Sequence, residues 1–129
     1  MATSTPGGGQ TSLGMAPNVA GLLCYVPCCI GLIFSIVVAI AEKQNRSVRF
    51  HAFQSLLFHA AFIVLMFAIG AGYAVLGILG LDAVGVILWL LQMLAFVGFV
   101  GILIFLMVKA NGGEEFELPV IGPMAKGWA

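Results

Sequence analysis

Charge is what this sequence has least of: 8% of its 129 residues are charged, against 62% hydrophobic. Soluble domains carry about 25% charged residues, so this composition cannot clothe a water-facing surface and points to an integral membrane protein. No lysine or arginine precedes Lys43. The first apolar segment therefore lacks the basic flank of a cleaved signal and reads as a retained span. Net charge is zero and no basic stripe is interleaved with aromatics, which sets nucleic acid aside as a partner. Three cysteines, Cys24, Cys28 and Cys29, sit within one apolar segment and do not make a disulfide framework. Carboxylates are equally scarce: Glu42, Asp82, Glu114, Glu115 and Glu117 all fall in loops or the tail. With no Ser/His/Asp arrangement, phosphate loop or zinc-protease motif, the chain is expected not to be an enzyme.

What is present is long apolar runs. Residues 1–17 form a polar Gly/Ser/Thr-rich arm, expected to be flexible because it cannot bury enough surface to order itself. Residues 18–129 form one membrane domain with expected spans over 19–41, 52–78 and 83–108. Each is long enough at about 1.5 Å per residue to cross a hydrocarbon core of about 30 Å. Pro27 interrupts the first span, and Gly31, Ser35 and Ala39 at spacings of four give it a narrow face for close helix approach. A charged loop, 42–49, separates the first two spans, and the tail 109–129 is apolar enough to lie at the membrane interface. The expected fold is an all-α bundle of three transmembrane helices.

Orientation follows from the five basic residues. Lys43, Arg46 and Arg49 lie in the first loop, and Lys109 and Lys126 follow the third span. Three spans would bring all five to one side, the cytoplasmic side of the inner membrane by the positive-inside rule, with the N-terminus outside.

The stretch RFHAFQSLLFHAAF, residues 49–62, places His51, Gln54, Ser55 and His59 on one helical face inside an apolar run. Ionisable groups in spans are functional candidates by default. His51 is expected near the headgroups and His59 about two turns deeper. If the helices are antiparallel, Cys28 and Cys29 reach the depth of His59, so a metal site of these three is conceivable. His51 or His59 could alternatively bind a tetrapyrrole axially.

Two motifs, EKQNRSVRFHAFQSLLF and FELPVIG, resemble those of a widespread group of small prokaryotic membrane proteins of unknown function. That group is related to the twenty-kilodalton Tic component of chloroplast protein import. The resemblance covers roughly residues 18–126. It implies a short helical bundle, and the plant relatives imply protein translocation. Arg49, Phe50, His51, Gln54 and Ser55 match the junction motif, while Leu118, Pro119, Ile121 and Gly122 match the tail motif. Both motifs fall on the cytoplasmic side in the expected topology, so the tail is expected to fold back onto the start of the second long helix. Three functions stay open: an accessory subunit docked on a larger membrane complex or self-associated, an oligomeric channel or translocation element, and a metal- or tetrapyrrole-binding subunit.

Overall fold

The computed structural model describes residues 9–129, which form five helices and no strand among the described residues. They are α1 (Pro17–Leu23), α2 (Cys29–Ala41), α3 (Arg46–Ile78), α4 (Asp82–Asn111) and α5 (Ile121–Trp128). Two of them, α3 and α4, are long and apolar enough to cross a membrane. At 33 and 30 residues they reach about 50 and 45 Å, well beyond the hydrocarbon core.

The ends of the long helices are written in local chemistry. Asn45 caps α3: its side-chain oxygen accepts the Val48 N–H at 3.1 Å, so the helix begins at Arg46, a turn earlier than the apolar run suggests. At the far end Gly80 takes a φ of 70°. The Leu81 N–H reaches the Leu76 carbonyl at 2.9 Å and the Gly80 N–H reaches Gly77 at 3.2 Å, the paired bonds of a Schellman stop. Helix α4 ends in the same way at Asn111-Gly112-Gly113, with Glu114 N–H on the Lys109 carbonyl.

The expected first span over 19–41 is not one helix. The chain leaves helical geometry between Cys24 and Cys28, where Pro27 has no N–H to give and Cys28 adopts a φ of 74°. Helix α2 then runs back alongside α1. Ser12, just before α1, bonds to Glu42, just after α2, and Asn18 in the first turn of α1 donates to the Asn111 carbonyl at the end of α4. The α1–α2 pair therefore enters and leaves by the same end of the bundle. The expected arrangement, with residues before the first span on the face opposite the first loop, is corrected accordingly.

The described part of the arm does not hang free either. Leu13 and Met15 pack against a cluster of Ala20, Cys24, Val38, Val48 and Ala52. The remainder of the expected flexible arm, residues 1–8, lies outside the described residues.

A second cluster joins Tyr25 of the hairpin turn to Phe99, Leu103, Leu106 and Ala110 of α4, with Phe58, Phe62 and Leu118 against it. Phe62 and Phe99 stack with centroids 3.9 Å apart. Away from these clusters the outer faces of α2, α3 and α4 expose apolar side chains such as Ile33, Val64, Phe67, Leu94 and Val97. Continuous exposed apolar surface on this scale belongs in lipid.

Candidate functional site at the polar end of the bundle

The polar face of α3 is turned inward, and most of its polar atoms are hydrogen-bonded. His51, Gln54, Ser55 and His59 are all buried. Sequence periodicity places His51 close to water; the structure instead covers it with the inturned hairpin, whose Gly21 lies against the imidazole ring. A buried polar group needs a partner, and the hairpin and the tail supply them.

Gln54 is the hub. Its Oε1 accepts the Leu118 N–H at 2.9 Å, while its Nε2 donates to the Phe116 carbonyl at 2.8 Å and to the Tyr25 hydroxyl at 3.0 Å. The side-chain amide thus reads the extended tail as a neighbouring strand would, pairing with one carbonyl and the N–H two residues on. The Tyr25 hydroxyl, which accepts from Gln54, also shares a hydrogen bond with His51 Nδ1, 3.1 Å away.

One turn on, Ser55 Oγ donates to the Cys24 carbonyl at 2.6 Å, and Ser35 Oγ donates to the same oxygen at 3.0 Å. That carbonyl ends α1, where the chain has turned away and no helical N–H follows to meet it. The small-residue face of the first segment does receive a close neighbour, namely the end of α1 itself.

Arg49 takes a different role from the tail contact expected of it. Its Nη1 donates to the carbonyls of Glu42 at 2.8 Å and Ala39 at 3.4 Å, closing the C-terminus of α2. Among Arg49, His51, Gln54 and Ser55, only Gln54 makes a hydrogen bond to the tail. Phe50 is buried beside His51. In the tail, the contacting groups are Phe116 and Leu118 rather than the backbone of Pro119 to Gly122. Gly122 N–H bonds to the Leu118 carbonyl and Ile121 N–H to that of Pro119, so LPVIG folds on itself to start α5. Helix α5 then meets α3 through Arg46, which donates to the Lys126 carbonyl at 3.3 Å, and through edge-on packing of Phe53 and Trp128.

His59 gives its Nδ1–H to the Ser55 carbonyl at 2.8 Å and stands edge-on to Phe99; its buried Nε2 has no partner among the described residues. Cys28 and Cys29 are exposed, and only Cys24 is buried. Among the described residues no group of three or more His, Cys, Asp or Glu could hold a metal ion. The conceivable Cys28/Cys29/His59 site is not assembled, because the break at Pro27 starts α2 with both cysteines on its outside.

Tyr25 and Glu42 were not legible as site residues. Glu42 has no exposed surface, yet among the described residues its carboxylate pairs with no cation. Its Oε2 accepts the Ser12 N–H at 2.8 Å; its Oε1 accepts from Ser12 Oγ and from the N–H groups of Gln44 and Asn45 at 2.8–3.0 Å. Burial alone would raise its pKa, but these hydrogen bonds outweigh that and hold the carboxyl below its ordinary value of 4.5. A lowered folded-state pKa means the stabilisation is complete above the ordinary value and lost as pH falls through the folded value. Protection of the Ser12 amide, corrected for intrinsic exchange, is therefore expected to be flat from pH 8 to 5 and to be lost only below 4.5. Loss of protection between pH 5 and 7 would contradict this.

Fold and site together define a small all-helical membrane protein whose polar segments are knitted together at one end. Its sequence relations agree: the chain belongs to the MamF/MmsF family, described as the magnetosome magnetite crystal formation protein family, whose model matches residues 10–125. It is similar to the UPF0132 membrane protein MJ1443 of Methanocaldococcus jannaschii, with 36% identity over 121 residues covering 92% of this chain and 93% of that relative. A UPF0132 membrane protein of Archaeoglobus fulgidus is 34% identical over 116 residues, covering 87% of this chain and 94% of that relative. No solved structure matches the chain significantly.

Proposed function

We propose that the chain is a non-enzymatic accessory subunit that docks onto a larger membrane complex through its polar end. One observation carries this reading. Residues 9–16, the loop after α2 and the tail, far apart in sequence, are hydrogen-bonded into a single cap at one end, while the rest of the bundle is apolar and exposed. A cleft of about 410 Å³ opens in that cap, lined by Asn45, Arg46, Ser47, Phe50, Glu115 and Lys126. Polar groups on a rigid support offer a protein partner what the lipid-facing helices do not.

Against a channel, the inward polar side chains of α3 are mostly engaged in internal hydrogen bonds, and a lumen needs polar groups along its length. The family description concerns magnetite crystals; among the described residues no three His, Cys, Asp or Glu gather where they could hold a metal ion, which favours organising a membrane assembly over holding iron. Protein translocation rests on the resemblance of the paired motifs RFHAFQS and LPVIG alone, and the family comparisons add no support for a link to the chloroplast import component.

The fold supports two crossings, α3 and α4, with the α1–α2 hairpin dipping into the membrane and returning. All five basic residues then lie at the cap end, which the positive-inside rule assigns to the cytoplasm of the inner membrane. Native extraction followed by mass spectrometry is expected to recover a defined membrane partner in fixed proportion. Recovery of monomer alone in mild detergent at native expression would overturn the docking reading. Reporters fused at either end are expected to be active on the cytoplasmic side, and termini on opposite sides would overturn the two-crossing topology.

A further inference from the structure

The loop after α2 is built to receive a serine. Glu42 Oε1 is already held by the N–H groups of Gln44 and Asn45, its own loop neighbours, so half of the arrangement exists without the arm. Arg49, although adjacent, bonds to the Glu42 carbonyl, and the carboxylate is left to neutral donors. What fills the place is Ser12: its N–H goes to Oε2, its hydroxyl proton to Oε1, and its hydroxyl oxygen accepts the Lys43 N–H at 3.0 Å. A residue without a hydroxyl satisfies only the first of these three bonds. Beside it, Leu13 and Met15 drop onto the first core cluster, and Asn45 Nδ2 reaches the Gly9 carbonyl at 3.5 Å.

The visiting segment is self-contained. Thr11 Oγ1 donates to the Met15 carbonyl at 2.7 Å and accepts the Met15 N–H at 3.1 Å, and the Gly14 N–H closes on the Thr11 carbonyl. Residues 11–15 therefore form a small closed plug, held to the rest of the cap among the described residues by the Ser12 latch and by Leu13 and Met15. Buried carboxylates without a cationic partner are costly to keep, and a receptor role gives this one a reason.

We propose that the Glu42–Asn45 loop is a binding site for a serine-bearing peptide segment with apolar residues one and three positions after the serine, occupied in this structure by the chain's own arm. The arm acts as a tethered competitor, and a partner segment of the same chemistry docks when it displaces the arm. This deepens the docking reading and rests on it, since it names where on the cap a partner binds. The two fail differently: absence of a co-purifying partner defeats the docking reading, whereas the experiment below addresses the loop's chemistry directly.

The full chain carrying Ser12→Asp sets two carboxylates against each other and is expected to open the latch, seen as faster amide exchange over residues 9–16. A fluorescent peptide of sequence GQTSLGMA, residues 9–16, is then expected to bind this variant at least tenfold more tightly than the unaltered chain, where the tethered arm competes. The same peptide with Ser12→Ala is expected to lose at least tenfold. An opened arm with no peptide bound, equal binding of the two peptides, or an arm that stays protected in Ser12→Asp would each overturn the proposal. Because Glu42 is untouched in this variant, a failure of Glu42→Gln to fold does not enter the test.

Discussion

Gly31→Ala is expected to detach the α1–α2 hairpin from the bundle. A Cβ at this position would sit on the Val26 carbonyl oxygen, 2.8 Å from the Val26 nitrogen and 3.0 Å from the Cys24 carbonyl oxygen. All three are backbone atoms, so no side chain can rotate out of the way. The turn between Cys24 and Cys28, already holding Cys28 at a φ of 74°, would have to move as a unit. Moving it pulls the Cys24 carbonyl from Ser35 and Ser55 and the Tyr25 hydroxyl from His51 and Gln54. Overpacking costs about 1–3 kcal/mol, and each buried polar group left unpaired adds about 1–3 kcal/mol, so a loss of about 3–5 kcal/mol is expected. Unfolding in detergent measures it. Gly98→Ala is the matched control, because nothing lies within 4 Å of a Cβ there. That substitution is expected to be neutral or to stabilise by up to about 1 kcal/mol through helix propensity. Equal melting curves for the two variants would show that Gly31 is not the contact holding the hairpin.

Gln54→Leu is expected to release the tail. The replacement has similar volume and suits an apolar helix, yet it strands the Phe116 carbonyl and the Leu118 N–H and removes the donor to the Tyr25 hydroxyl. The tail groups lie close enough to the surface to recover part of their hydrogen bonding from water. The expected cost is about 2–4 kcal/mol, from roughly 1–3 kcal/mol for each stranded buried group. The effect should be local: amide exchange over residues 114–128 accelerates, while the lipid-facing parts of α3 and α4 keep their protection. The exposed ion pairs Lys109–Glu114 and Lys126–Glu117 are not expected to hold the tail by themselves, since solvent screens surface pairs. Unchanged exchange in the tail would show that α5 docks through Phe53, Trp128 and Arg46 without Gln54.

Much of the fold could be read along the chain because the signals were local. The apolar runs marked α3 and α4, and the spacing of His51, Gln54, Ser55 and His59 marked one shared face. The first segment misled for a physical reason. A run of 23 apolar residues has the length of a span, and proline occurs within membrane helices, so composition cannot distinguish a kinked crossing from a hairpin. The distinction rests on contacts between distant residues: Ser12 with Glu42, Asn18 with Asn111, and Gly31 with the Val26 backbone.

The partners of the polar groups were hidden for the same reason. Gln54 was visible as a polar residue on one face of an apolar helix, but Tyr25 looked like an ordinary aromatic in an apolar run. Glu42 looked like a solvated loop acid; only the folded arm turns it into a buried acceptor of four hydrogen bonds.

By itself, the sequence determined that this protein lives in a membrane, that it is helical, where its two long helices run, and which end carries its positive charge. These follow from composition and from signals a few residues long. The tertiary structure decided that the first apolar segment turns back, that residues 9–16 share an end with the tail, and that the polar face of α3 binds the hairpin and tail rather than a metal. The contacts the structure shows, of the polar face of α3 with the hairpin and the tail, depend on which distant backbone groups can meet a buried donor or acceptor, and that is a property of the packed chain alone.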